Sequence, residues 1–146
     1  MGSITLKAKG AIEGIAEGEA LVSPGMICFC FDVDIGSGII HDPRSSVMGQ
    51  SLAGKILVFP MSRGSTASPY GLYLLYRAGR APKAIISVES DPMSVTGAII
   101  SHIPMVYNLD QNPIDVIETG DYVQVDGNKG EVVVTKKRQT FSSLSR

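Results

Sequence analysis

Between Lys55 and Tyr107, three short apolar runs alternate with two stretches of helical spacing, and this alternation restricts the fold more than any other feature of the chain. The runs are Lys55-Ile56-Leu57-Val58-Phe59-Pro60, Ala84-Ile85-Ile86-Ser87-Val88 and Met105-Val106-Tyr107. Each is too short for a helix and too continuously apolar for a strand with one wet face, so each suits a buried parallel strand. After the first run, Pro69 precedes Leu72, Leu75 and Tyr76 at helical spacing, and Gly79 stands where the helix would stop. After the second, Asp91-Pro92 leads into a β-branched stretch from Met93 to His102 that reads as a helix carrying Gly97. Two consecutive strand–helix–strand units imply parallel pairing with right-handed crossovers.

The flanks have a different period. Ile4, Leu6 and Ala8 alternate with Thr5, Lys7 and Lys9, and Gly10 and Gly14 bracket Ala11-Ile12-Glu13. Period-two alternation broken by Gly reads as strands joined by tight turns. Ala20-Leu21-Val22 reads as a further short strand, ended by Ser23-Pro24-Gly25. Residues Ile35 to Gln50 are rich in Gly, Ser, Asp and Pro, with only Ile39-Ile40 and Val47-Met48 apolar, and read as loop with room for short strand pieces. Near the end, Gly120 to Asp126, the turn Gly127-Asn128-Lys129-Gly130 and Glu131 to Val134 make a hairpin. The fold class is therefore α/β: a central parallel β-α-β-α-β with flanking β-strands. It forms one domain over 1–136, followed by a frayed polar tail over 137–146. There is no internal repeat and no linker.

A chain of 146 residues has room for one core. At 44% hydrophobic and 18% charged it is too apolar for disorder. A net charge of −1 argues against general nucleic-acid binding, and Lys136, Lys137 and Arg138 read as a solvated tail. No apolar run is long enough to cross a bilayer. The N-terminus lacks a signal-peptide pattern, and Leu6 stands where a myristoylation motif needs Ser or Thr. A cytoplasmic protein with no membrane partner is expected.

The chemistry points to Gly64-Ser65-Thr66, between a buried strand and a helix. A turn there aims backbone N–H groups outward at the positive end of the helix, so it suits an anion. Gly64 permits close backbone approach, and Ser65 presents a hydroxyl where open α/β sheets bind ligands. A plain N-cap accounts for Ser65 at least as well on local sequence alone. The turn has no P-loop lysine, and Thr66-Ala67 after Ser65 breaks the nucleophile-elbow pattern. His41 in a loop and His102 near a helix end have no partner motif and read as surface or boundary histidines. Serine without histidine can act as a base only if donors stabilise its alkoxide. Arg63 adjoins the turn and is always charged; it serves either that purpose or plain solvation.

Cys28 and Cys30 form a C-x-C in Met-Ile-Cys-Phe-Cys-Phe. On a strand they would share one face, with Ile27, Phe29 and Phe31 on the other. Core thiols, half of a metal site and a disulfide are the three readings, and core thiols fit best, since free Cys behaves as a small hydrophobe. Two thiolates do not complete a tetrahedral site, so a metal would need ligands from another chain.

The blocks Gly49 to Pro60, Arg63-Gly64-Ser65-Thr66-Ala67-Ser68, Gly79 to Ile86, Asp91 to Ile100, Ile103 to Val106, Thr119-Gly120-Asp121 and Val125-Asp126-Gly127 together resemble the small-subunit family of aconitase X. The resemblance spans the chain to about Thr135. It implies a swivelling β/β/α domain like that of aconitase, and a two-chain hydro-lyase that is inactive without its large subunit. The large subunit would hold an iron–sulfur cluster of the [4Fe-4S] type, leaving no cofactor on this chain. Ser65 would be the proton acceptor, with Arg63, Gly64 and Thr66 binding a small anionic substrate. The family implies mevalonate 5-phosphate, dehydrated to trans-anhydromevalonate 5-phosphate, or cis-3-hydroxy-L-proline. A non-catalytic anion-binding scaffold is the reading from outside the family. Two departures stand out. Ala67 replaces the arginine that follows the paired serines of aconitases, and Phe31-Asp32 precedes Val33-Asp34 where the family often has Gly-Gly.

Overall fold

A computed structural model describes residues 2–137. In chain order its elements are β1 (Ser3–Lys7), β2 (Lys9–Ile12), β3 (Ile15–Val22), β4 (Ile56–Phe59), α1 (Ser68–Arg77), β5 (Ala84–Ser87), α2 (Pro92–Ile100), β6 (Met105–Tyr107), α3 (Pro113–Val116), β7 (Tyr122–Asp126) and β8 (Glu131–Thr135). The strands lie in the order β1-β8-β7-β3-β4-β5-β6-β2. β3, β4, β5 and β6 run parallel, as the apolar runs require. β2 closes that end antiparallel to β6, while β7, β8 and β1 continue from β3 as an antiparallel meander.

Side-chain alternation divides the interior into two cores. Ile56 and Val58 of β4 pack with Leu6, Val123, Val125, Val132 and Val134. Leu57 and Phe59 of the same strand pack with Leu72 and Leu75 of α1 and Ala98 of α2. The parallel strands are therefore the middle of three layers, β/β/α, and are buried on both faces, which is why every residue of β4 and β5 is buried. β3 joins the two sheet layers. Its first five residues pair with β7 and its last three with β4.

Three sequence expectations change. The N-terminal strands are not joined into hairpins: β1 pairs with β8 and β2 with β6. Only Ala8 separates β1 from β2, and its amide donates to Gly130 O at 2.8 Å, so the chain turns a corner there instead of reversing. Ala20-Leu21-Val22 is the end of β3 and no separate strand. Lys136 is not part of a solvated tail. Its Nζ lies 2.6 Å from Asp121 Oδ2 and 2.9 Å from Val116 O, while Lys137 N donates to Asp121 Oδ1 at 2.9 Å. A carboxylate with no exposed surface needs such partners. The rest of the expected tail lies outside the described residues. The C-terminal hairpin forms as expected, and its Gly127 lets two backbones meet: a Cβ there would lie 2.2 Å from Ile12 O. Short α3, capped by Asn112, had no sequence reading.

Burial pushes the Asp121 carboxyl up, but Lys136 and the amides of Glu118 and Lys137 outweigh it and hold it below its ordinary value. A lowered folded value means that the stabilisation is complete above the unfolded value of about 3.9 and is lost as pH falls through the folded one. Asp121→Asn is expected to cost roughly 3 kcal/mol at neutral pH, as for a buried pair losing one partner. The gap from wild type should narrow below about pH 4. Thermal melts of both proteins across that range check this, and a gap independent of pH would contradict it.

Candidate active site

The loop from Pro60 to Ala67 leaves the C-terminal end of β4 and enters α1, and it is tied down at both ends. At its near end, Ser62 Oγ bonds Ser94 Oγ at 2.7 Å, and Ser62 N donates to Asp91 Oδ2 at 3.2 Å. Asp91 is also the N-cap of α2, accepting from Ser94 N at 2.9 Å. Arg63 N donates to Ile27 O at 2.9 Å. At the far end, buried Ser68 accepts the Phe29 amide on its Oγ at 3.0 Å.

The second wall is the segment Cys28 to Asp32, which is a turn and not the strand considered for the cysteine pair. Phe31 N and Asp32 N both donate to Cys28 O, at 3.1 and 2.8 Å. Asp32 Oδ2 accepts the Cys28 amide at 2.8 Å, so the carboxylate closes its own turn. The turn buries Phe29 against Phe59, with ring centroids 5.8 Å apart, and leaves Phe31 64% exposed. Gly71 of α1 permits this packing. A Cβ there would fall 2.5 Å from Cys30 N and 2.6 Å from Phe29 C.

Between these anchors Gly64, Thr66 and Ala67 are exposed and Ser65 is half-buried. The N-cap position of α1 belongs to Ala67, whose side chain caps nothing, so Ser65 stands two residues ahead of the cap and is not the cap itself. Its Oγ accepts the Ala67 amide at 3.2 Å and lies 4.0 Å from Cys30 Sγ. Among the described residues, the amides of Gly64, Ser65 and Thr66 donate to no protein acceptor. A hydroxyl beside free amides at a helix start can lose a proton more readily than in water. His41 and His102 are exposed and do not bond Ser65; the His102 ring meets Tyr76 edge-on at 5.8 Å.

Arg63 turns toward Asp32. Its Nη2 lies 2.5 Å from Oδ1 and 2.7 Å from Oδ2, and the hydrogen bond and charge of Asp32 raise the guanidinium above its ordinary value. Its Nε is buried and has no partner among the described residues. Arg63, Asp32, Arg44, Asp42, Ser45 and Ile27 border a cleft of about 200 Å³. Arg44 Nε lies 3.0 Å from Asp42 Oδ1, and the Arg44 hydrogen bonds hold the Asp42 carboxyl low. The cleft is smaller than the roughly 300 Å³ at which ordinary ligand pockets begin. Ser65 does not line it.

Sequence reasoning found Ser65 and its neighbours, named Cys30, Asp32 and Asp91 without placing them beside the serine loop, and gave Ser62 and Ser68 no role. Asp91-Pro92 carried a readable N-cap signal. Cys30 and Asp32 meet the serine loop from more than thirty residues away, and no local pattern marks that meeting.

A three-layer β/β/α domain with an exposed serine turn at the end of a parallel strand is a swivel-type domain. The chain belongs to the aconitase X swivel domain family, whose model matches residues 5–134. It is 42% identical over 135 residues to the phosphomevalonate dehydratase small subunit of Methanosarcina acetivorans, covering 92% of this chain and 94% of that one. To the protein of the same name from Thermococcus kodakarensis it is 46% identical over 129 residues, covering 88% and 95%. The crystal structure of Thermococcus kodakaraensis aconitase X in its holo-form superposes with a TM-score of 0.86 at 44% identity, covering 91% of this chain and 99% of that chain.

Gly71→Ala adds a good helix former yet is expected to lose about 1–3 kcal/mol, because the backbone of the Cys28–Asp32 turn must move. Urea denaturation measures it, and a neutral or stabilising change would show that the turn yields freely.

Proposed function

We propose that this chain is the small subunit of a two-chain phosphomevalonate dehydratase, and that Ser65 Oγ takes the proton from the carbon beside the carboxylate of mevalonate 5-phosphate. Loss of the hydroxyl from the neighbouring carbon then gives trans-anhydromevalonate 5-phosphate and water. The names and coverage of the relatives support the enzyme. The observation that carries the serine is its place: a half-buried hydroxyl that is not the N-cap of α1, in the crown of a loop fixed at both ends.

The Ala67 amide already donates to Ser65 Oγ, and the unpartnered amides beside it are further donors for an alkoxide or a substrate oxygen. Arg63 is held at the loop's edge by Asp32, with Nε left unbonded, and with Gly64 and Thr66 it forms the anion-binding side of the site. The incomplete cleft is the reason for a large-subunit partner, which brings the remaining walls. The iron–sulfur cluster does not fit this chain. Among the described residues no three His, Cys, Asp or Glu side chains converge, and the assignment of the cluster to the large subunit is part of this proposal. Cytoplasmic location is part of the same proposal; among the described residues no helix is long and apolar enough to cross a membrane.

Ser65→Ala in the reconstituted two-chain enzyme is expected to lower kcat for mevalonate 5-phosphate by about 10²–10⁴-fold, with subunit assembly unchanged. The isolated chain should turn over nothing. Retained activity in the variant would remove Ser65 from the chemistry, and dehydration of cis-3-hydroxy-L-proline alone would overturn the substrate.

A further inference from the structure

The Cys28–Cys30 pair has no part in the proposed chemistry, yet it sits against the serine. The two Sγ atoms are 3.2 Å apart, and Cys30 Sγ is 4.0 Å from Ser65 Oγ. On an extended strand the side chains of residues two apart would stand about 7 Å from each other. The turn closed by Asp32 brings them into contact instead. The two sulfurs also differ in access, since Cys28 is fully buried and Cys30 is partly exposed. An oxidant therefore meets Cys30 first, with Cys28 in contact behind it.

We propose that Cys28 and Cys30 form an oxidation site that closes to a disulfide and sets the position of the Ser65 hydroxyl. The oxidant is hydrogen peroxide or another hydroperoxide. The Cys30 thiolate attacks a peroxide oxygen, breaking the O–O bond to give a sulfenic acid and one water, or an alcohol from an organic hydroperoxide. Cys28 sulfur then attacks Cys30 sulfur, forming the S–S bond and releasing the sulfenic oxygen as water. One peroxide gains two electrons and the two sulfurs together lose two.

Burial, with added contact from Cys28, raises the Cys30 thiol above its ordinary value. Closure moves Cys30 Sγ onto Cys28 and consumes the thiol hydrogen it offers Ser65 Oγ, leaving the Ala67 amide as the remaining donor to that oxygen. The effect on turnover rests on Ser65 being the base; the sulfur chemistry does not.

The test treats the full chain, alone and with its large subunit, with hydrogen peroxide, and follows intact mass and dehydration of mevalonate 5-phosphate. The expected result is a loss of two hydrogens, about 2 Da, with both thiols of the chain blocked. Turnover should fall at least about tenfold, and dithiothreitol should restore both readouts. Cys28→Ser, and Cys28→Ala should that variant fold poorly, should show neither the mass change nor a dithiothreitol-reversible loss. An unchanged wild-type mass would overturn the oxidation site. Full turnover in the disulfide form would overturn its link to Ser65. If the reduced enzyme turns over nothing while the mass still falls, the reading of Ser65 as base fails and the dithiol site stands.

Discussion

Asp32 holds the site together. Its carboxylate is 5% exposed and accepts the Arg63 guanidinium on both oxygens and the Cys28 amide on one. A buried carboxylate without such partners would cost several kcal/mol. With them, one side chain closes the Cys28–Asp32 turn and fastens it to the loop that enters α1. Ser68 and Gly71 then seat the same turn on the helix, Ser68 through the Phe29 amide and Gly71 by leaving room for backbone. The loop that carries the serine is tied down at both ends, although Gly64, Ser65 and Thr66 themselves make few bonds.

The layers explain why this arrangement sits where it does. Parallel strands buried on both faces deliver their C-terminal ends, and the N-terminal ends of α1 and α2, to one edge of the domain. Polar groups collect there, and they satisfy one another: Ser62 with Ser94 and Asp91, Arg63 with Asp32, Arg44 with Asp42. Among the described residues, the amides of Gly64, Ser65 and Thr66, one nitrogen of Arg63 and the buried hydroxyl of Ser87 at the end of β5 have no protein partner. Arg63 borders a small cleft at this edge, and the curated relatives of the chain are named as small subunits.

Much of this was legible in the chain. The apolar runs at Ile56, Ala84 and Met105 become strands because a strand covered on both faces has no polar side to show. Leu72 and Leu75 face the core as their spacing requires, although Tyr76 is 40% exposed and packs on His102. What could not be read was decided by distant partners. The cysteine segment has the composition of a strand, and a carboxylate four residues along bends it into a turn. Lys136 has the look of a tail residue until Asp121, buried fifteen positions earlier, claims it. The first strands alternate correctly but pair with the end of the chain, a choice made by the second core and not by local turns. The departure at Phe31-Asp32 acquires a meaning only when Asp32 meets Arg63.

The claim on which the account rests is that this frame presents one hydroxyl to a substrate held mainly by another chain. A crystal structure of the two-subunit enzyme with substrate or product bound tests it most directly. The account predicts Ser65 Oγ within about 3.5 Å of the carbon that bears the departing proton, with the serine loop unchanged from its present form. Bound substrate whose reacting carbon lies beyond reach of that oxygen, with another side chain in its place, would contradict it.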